Sequence, residues 1–286
     1  MATARSLELQ RLAQRIADAL PPVAEEVVLT GSVSRGAADE VSDIEMLIVT
    51  AEPLDLETCF EHAAEIGLES LDTWGAQGSP ASRVFGYLEG VPIELIWWPR
   101  EFAEAAVARL LEGEESSSAD AIVNGVSLRT VGLLARWQEQ LADYPDEIAA
   151  ARIESAALTW GGYAPEGLFT IARPGERLSC VERILDDALR VLKIVYALNR
   201  VWEPTTKRLA ARVEELPVKP ERLAERIEEA LTEPDLLRAL LVMNELQLEA
   251  VMLAPSGPNV DRARRWLSEA VRVLQAAASA SSSSAP

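Results

Sequence analysis

The stretch Val27–Thr50, VVLTGSVSRGAADEVSDIEMLIVT, consists of two apolar runs joined by a loop of small residues. The second run carries an anomaly. Asp43 and Glu45 interrupt Ile44, Met46, Leu47, Ile48 and Val49, so two acids stand one residue apart where their neighbours favour burial. Side chains two apart on a strand share a face, which sets the two carboxylates side by side. Like charges that close resist ionising together unless a cation sits between them. The run Glu26–Thr30 reads as the preceding strand. The loop after it supplies Gly31, which permits a tight turn and close backbone approach, and the hydroxyls of Ser32 and Ser34. It also supplies the guanidinium of Arg35, a fork suited to phosphate oxygens.

A third acid, Glu94, stands between Ile93 and Leu95 in VPIELIWW. Alone it reads as a solvent-facing acid on an edge strand. With the pair, it completes three acids isolated on apolar strands, an oxygen-rich set suited to Mg²⁺, which takes a few carboxylates and leaves positions for substrate phosphates. Around it, SRVFGYLEGVPIELIWW (residues 82–98) reads as two strands about a tight turn at Glu89-Gly90. Leu9, Leu12, Ile16 and Leu20 mark one face of an opening helix that Pro21 and Pro22 stop. ETCFEHAAEIGL and REFAEAAVARLLEGEE have helical spacing, and IVNGVSLRTVG is a weaker strand. Helix, strands, helix and strand imply an α/β or α+β unit.

From Ala149 the texture becomes helical, with Ile184, Leu185, Ala188, Val191, Leu192, Val195 and Leu198 forming a broad apolar stripe. Prolines at 204, 217, 220, 234 and 258 punctuate the gaps of a bundle, about five helices in all. The serine-rich end reads as a disordered tail.

At 286 residues the chain can form two modest domains, each with a core. No apolar run approaches the length of a membrane span, and the amphipathic start lacks the features of a signal peptide. A cytoplasmic protein without membrane contact is expected. Cys59 and Cys180 are the two cysteines, in no metal-ligand spacing. The single histidine, His62, reads as a helix-surface residue, which removes most histidine-based mechanisms. Net charge is −19, from 46 acids against 27 bases. That balance repels polyanions and favours cationic partners. No basic cluster stands ready to neutralise a phosphate backbone, so a large nucleic acid is disfavoured as a partner.

Gly31-Ser32, ten further residues, Asp43-Ile44-Glu45 on a strand and then a later strand acid resemble the signature of the polymerase-beta-like nucleotidyltransferase superfamily. Within it, GSVSRGAADEVSDIEMLIV (residues 31–49) is similar to the corresponding run of the kanamycin (aminoglycoside) nucleotidyltransferases. LEGVPIELIWWPREFAEAAV (residues 88–107) resembles the segment carrying that family's third carboxylate. The resemblance implies an α+β protein: a catalytic domain over residues 1–140 with a small mixed sheet flanked by helices, an α-helical bundle over 141–278, and a tail over 279–286.

The activity implied is Mg²⁺-dependent transfer of a nucleoside monophosphate, AMP from ATP, to an acceptor hydroxyl with release of pyrophosphate. By resemblance, Asp43 and Glu45 hold Mg²⁺ against the triphosphate, Glu94 completes a site for a second ion, and Ser32 and Arg35 grip the outer phosphates. That family's helical region contributes a glutamate base and a lysine. Glu154 and Asp186 are candidate acids here, although a solvated helix face is the plainer reading of each, and Lys207 is the candidate lysine near the nucleotide. Trp97, Trp98, Trp160 and Trp202 could stack on a base or sugar, or belong to the core. The resemblance further implies a homodimer and a small, cationic, aminoglycoside-like acceptor. Two alternatives remain open: nucleotidylation of a protein or an RNA end, as in toxin–antitoxin relatives, and a non-catalytic nucleotide-binding module. The intact acid set argues against the second.

Overall fold

The computed structural model describes residues 2–73, 79–114, 118–159 and 167–283. The chain divides into two compact units, Met1–Asp143 and Tyr144–Pro286. The first runs α1 (Ala4–Ala19), β1 (Ala24–Leu29), the helical turn α2 (Gly31–Ser34), β2 (Ile44–Thr50), α3 (Leu56–Glu65), β3 (Glu69–Asp72), β4 (Ser82–Leu88), β5 (Val91–Pro99), α4 (Arg100–Leu111), α5 (Ser118–Val123), β6 (Val126–Arg129) and α6 (Leu133–Ala142). Local chemistry sets the boundaries. Thr3 caps α1 by accepting from the Ser6 N–H at 3.0 Å, and Asp55 caps α3 by accepting from that of Thr58 at 2.8 Å. Glu89 and Gly90 both adopt left-handed backbone, φ 54° and 78°, which joins β4 to β5 through a two-residue turn.

The strands form one sheet in the order β3-β4-β5-β2-β1-β6. β2 and β5 run parallel, and the other neighbours pair antiparallel. Alternation sorts the side chains. Val27, Leu29, Ile44, Met46, Ile48, Ile93, Leu95 and Trp97 form one core with Leu9, Leu12 and Ile16 of α1 and Cys59 and Ala63 of α3. The intervening residues of β2 and β5, among them Glu45 and Glu94, face the other way. There α4 packs against β2 and β5, and α6 against β1. The architecture is therefore α+β, a mixed sheet flanked by helices and followed by a helical unit.

Two buried charges tie the sheet to its helices. Glu26 on β1 is fully buried. Its carboxylate accepts from the Ser127 hydroxyl (2.7 Å), the Thr130 hydroxyl and the N–H groups of Val131 and Leu133 (3.0 Å each). It supplies the side-chain cap that Gly132, at the start of α6, cannot. Arg129 on β6 donates to the carbonyls of Leu20 (2.8 Å), Pro21 (2.9 Å) and Ala24 (3.1 Å), closing the end of α1 with a cation.

The second unit comprises α7 (Asp146–Leu158), α8 (Leu168–Ile171), α9 (Arg177–Leu198), α10 (Leu209–Glu214), α11 (Leu223–Thr232), α12 (Leu236–Leu253) and α13 (Pro258–Ser283). α9 lies against α7 and α12, and α13 against α12 and α7. The stripe expected on α9 is narrower than read: Ile184, Ala188, Val191, Leu192 and Val195 are buried, but Leu185 is 48% exposed and Leu198 only half-buried. The end expected to be disordered from residue 279 instead continues α13 to Ser283; residues 284–286 of that stretch lie outside the described residues. Among the described residues, no helix is long and apolar enough to cross a membrane.

Glu26→Ala should lower the unfolding free energy by at least about 3 kcal/mol, since four donors lose a buried acceptor at roughly 1–3 kcal/mol each and only part is returned by no longer burying a carboxylate. Urea denaturation measures this, and a loss below about 1 kcal/mol would show that the donors find other partners.

Candidate active site

The parallel pairing of β2 with β5 places Glu45 directly opposite Glu94. Both are half-buried, as is Asp43, which precedes β2 by one residue. The turn leading into this edge is built against Glu45. Gly31 has φ +70°, and a Cβ there would stand 1.9 Å from Glu45 Oε2. The carboxylate therefore occupies space that only glycine leaves open. The Thr30 N–H donates to the Glu45 carbonyl at 2.9 Å and its hydroxyl to the same oxygen at 3.2 Å. Within the turn, the Ser34 hydroxyl donates to the Gly31 carbonyl (3.0 Å), and the Ala37 N–H to the Ser32 carbonyl (2.9 Å). Gly31, Ser32, Ser34 and Arg35 thus form a turn locked to the strand that carries Glu45.

Two residues not singled out in the sequence join this group. Arg83 on β4 sets its Nη1 3.3 Å from Glu94 Oε1. Its place was implicit in the hairpin: a two-residue turn at Glu89-Gly90 pairs Phe85 with Glu94 and Arg83 with Ile96, so Arg83 and Glu94 share a face. Asp120 on α5 accepts from Arg35 Nη1 at 3.0 Å through Oδ2. No sequence signal pointed to Asp120, which is 85 residues from Arg35 on a short helix.

The donor set fits Mg²⁺ in kind, being three carboxylates with two of them side by side. Among the described residues, however, no three acidic, histidine or cysteine side chains are gathered closely enough to hold an ion as they stand. Glu94 instead has the Arg83 guanidinium as a counter-charge. Thiol chemistry is disfavoured: both cysteines are buried, and burial pushes the Cys59 thiol up to about 11. His62 is not the simple surface residue expected. Its ring lies 5.8 Å from that of Trp97 and its Nδ1 3.3 Å from Glu65.

Of the tryptophans, Trp97 belongs to the core, Trp98 meets Phe102 edge-on at 5.2 Å and Trp202 packs on Tyr144 at 4.5 Å. Trp160 lies outside the described residues. Glu154, Asp186 and Lys207 all belong to the second unit. Glu154 accepts from the N–H groups of Asn259 (2.9 Å) and Val260 (3.4 Å) at the start of α13. A Cβ at Gly257 would stand 2.0 Å from its Oε1. Its carboxylate is thus engaged as a helix cap. Asp186 pairs with Arg190 at 2.9 Å on the exposed side of α9. Lys207 is exposed in the connection between α9 and α10, and its carbonyl accepts from Arg212 Nε at 2.9 Å.

No protein-family model matches the sequence, and no curated protein matches it. Among solved structures, the chain is similar to a nucleotidyltransferase-like protein from Exiguobacterium sibiricum 255-15, with 10% identity, a TM-score of 0.37, and coverage of 93% of this chain and 75% of that one. It is also similar to a CCA-adding enzyme in complex with ATP, with 13% identity, a TM-score of 0.28, and coverage of 96% and 82%. At these scores neither likeness bears on what this chain does.

The close approach of Glu45 to Gly31 is measurable. Gly31→Ala incurs the cost of left-handed backbone, about 1 kcal/mol, and must also displace a carboxylate. Gly90→Ala, with φ +78° and nothing within 4 Å, incurs the first cost alone. Gly31→Ala should therefore be the more destabilising in urea denaturation, and equal losses would remove the contact.

Proposed function

We propose that the chain is a nucleotidyltransferase that moves a nucleoside monophosphate, AMP from ATP, onto a hydroxyl of a small cationic acceptor. The observation that carries this reading is the placement of Glu45 opposite Glu94, with the Gly31 turn packed on the Glu45 carboxylate. The similarity of residues 31–49 and 88–107 to the kanamycin nucleotidyltransferases supports it. Asp43, Glu45 and Glu94 would hold Mg²⁺, two ions in the full site, with Arg83 giving up its pairing with Glu94. Bound there, Mg²⁺ supplies charge stabilisation for the attacking and leaving oxygens.

The protein's own groups bind and orient. Arg35 and the Ser32 and Ser34 hydroxyls take the outer phosphates, with Gly31 letting the turn sit against Glu45. From the second unit we propose Lys207 for the nucleotide and Asp186 or Glu154 as the acid that receives the acceptor's proton. Each would exchange a partner to do so: the Glu154 carboxylate serves two backbone donors, and that of Asp186 is paired with Arg190. The net charge of −19 favours an aminoglycoside-like acceptor over a large nucleic acid. A homodimer, acting in the cytoplasm, completes the proposal.

The primary test is release of pyrophosphate from each of the four nucleoside triphosphates with Mg²⁺, against a panel of aminoglycosides and other polyols. Release that depends on a small cationic acceptor supports the reading. Release only with protein or RNA reassigns the acceptor, and none with any acceptor overturns the activity.

Ligand linkage gives a second test. Mg²⁺ with ATP should raise the melting temperature, and Asp43→Asn combined with Glu45→Gln should abolish the rise. A rise that persists in the double variant takes the metal away from these residues.

The roles of Arg35 and Glu94 should separate kinetically. Arg35→Ala should weaken ATP binding by roughly tenfold. Glu94→Gln should leave ATP affinity nearly unchanged and lower turnover by roughly a hundredfold. Equal effects on nucleotide affinity would undo the division of labour.

A further inference from the structure

We infer that Asp120, steadied by Asn124, is a positioning residue that holds the Arg35 guanidinium in place for a triphosphate. The inference rests on the nucleotidyltransferase reading above. Asp120 Oδ2 takes the Nη1 end of Arg35 at 3.0 Å, and Asp120 Oδ1 takes the Asn124 side-chain amide at 2.8 Å. Both oxygens of the acid are therefore committed, and its orientation is set. The pair is also asymmetric: the Asp120 side chain is 9% exposed and that of Arg35 24%. The acid is the more deeply buried of the two, and the cation keeps some contact with solvent.

The mount beneath Asp120 is fixed to the sheet. Gly125, just past α5, lies so close to β1 that a Cβ would stand 2.6 Å from Val28 Cγ1. The Gln138 amide of α6 donates to the carbonyls of Ile122 (3.1 Å) and Gly125 (3.0 Å), fastening the end of α5. On the other side, the backbone at Arg35 is closed into its turn by the Gly36 N–H donating to the Val33 carbonyl at 3.1 Å. The guanidinium is thus held at both ends, through its own backbone and through a carboxylate anchored to β1.

Two effects of Asp120 on a phosphate oppose each other. Its negative charge weakens the pull of Arg35, and its grip removes the entropy that a long, flexible side chain would lose on binding. A partly exposed cation is screened by solvent, which reduces the first effect, while the geometric hold remains. The grip should win.

The test is calorimetric titration of the full chain with Mg²⁺-ATP and, separately, with AMP, which lacks the phosphates assigned to Arg35. Asp120→Ala should weaken ATP binding by roughly tenfold and leave AMP binding unchanged. Asp120→Asn, which keeps an acceptor oxygen for Arg35, should restore most of the loss. ATP binding that is unchanged or tighter in Asp120→Ala overturns the inference, since charge would then outweigh position. If Asp120→Ala does not fold, Asn124→Ala keeps the ion pair and frees only Oδ1. It should weaken ATP binding by roughly threefold without affecting AMP, and unchanged ATP binding would again overturn the inference. A wild-type chain that binds ATP, beside variants that bind it equally well, removes this inference alone. A wild-type chain that binds no triphosphate removes the nucleotidyltransferase reading with it.

Discussion

β2 and β5 lie side by side in the middle of the sheet, and their parallel register sets Ile44 against Ile93, Glu45 against Glu94 and Met46 against Leu95. Because side chains alternate, a slip of one residue on either strand would drive an acid into the core shared with α1 and α3 and turn a leucine or methionine out of it. The apolar residues therefore enforce the position of the polar ones. Burying Ile44, Met46, Ile93 and Leu95, each worth about 1.5–3 kcal/mol, holds two carboxylates together that would otherwise repel. The hairpin then carries Arg83 to Glu94, and the Gly31 turn closes over Glu45.

An acid in an apolar setting does not by itself mark chemistry. Glu26, Glu45 and Glu154 each have an apolar residue beside them in the chain, yet their partners differ in kind. Glu26 and Glu154 accept from backbone N–H groups at helix starts and so complete the fold. Glu45 lies beside a second carboxylate and a glycine turn instead. The second unit handles a buried cation in a similar structural way. Arg152 stacks near the rings of Tyr144 (5.6 Å) and Trp202 (5.4 Å) and donates to the Tyr144 hydroxyl at 3.0 Å. Burial raises the Tyr144 phenol above its ordinary value, with Arg152 opposing that rise, so the hydroxyl stays neutral and can accept. Glu26, Glu154 and Arg152 thus serve the fold, whereas Glu45 lies beside the turn.

Much of this was determined by the sequence alone, because it follows from local rules. Period-two alternation marked the strands and put Glu45 and Glu94 opposite their apolar neighbours. Glu89-Gly90 required a two-residue turn, which in turn set the hairpin register that brings Arg83 to Glu94. Pro21 and Pro22 ended α1, and helical spacing carried through the second half of the chain. What the tertiary structure alone decided is which distant segments meet. Nothing in a strand's own residues says that β5 pairs with β2 in parallel, that α5 delivers Asp120 to Arg35, or that Glu26 and Glu154 cap helices about 105 residues away. Those pairings follow from the close packing of whole elements, in which a buried donor or acceptor takes whatever partner the fold brings within reach.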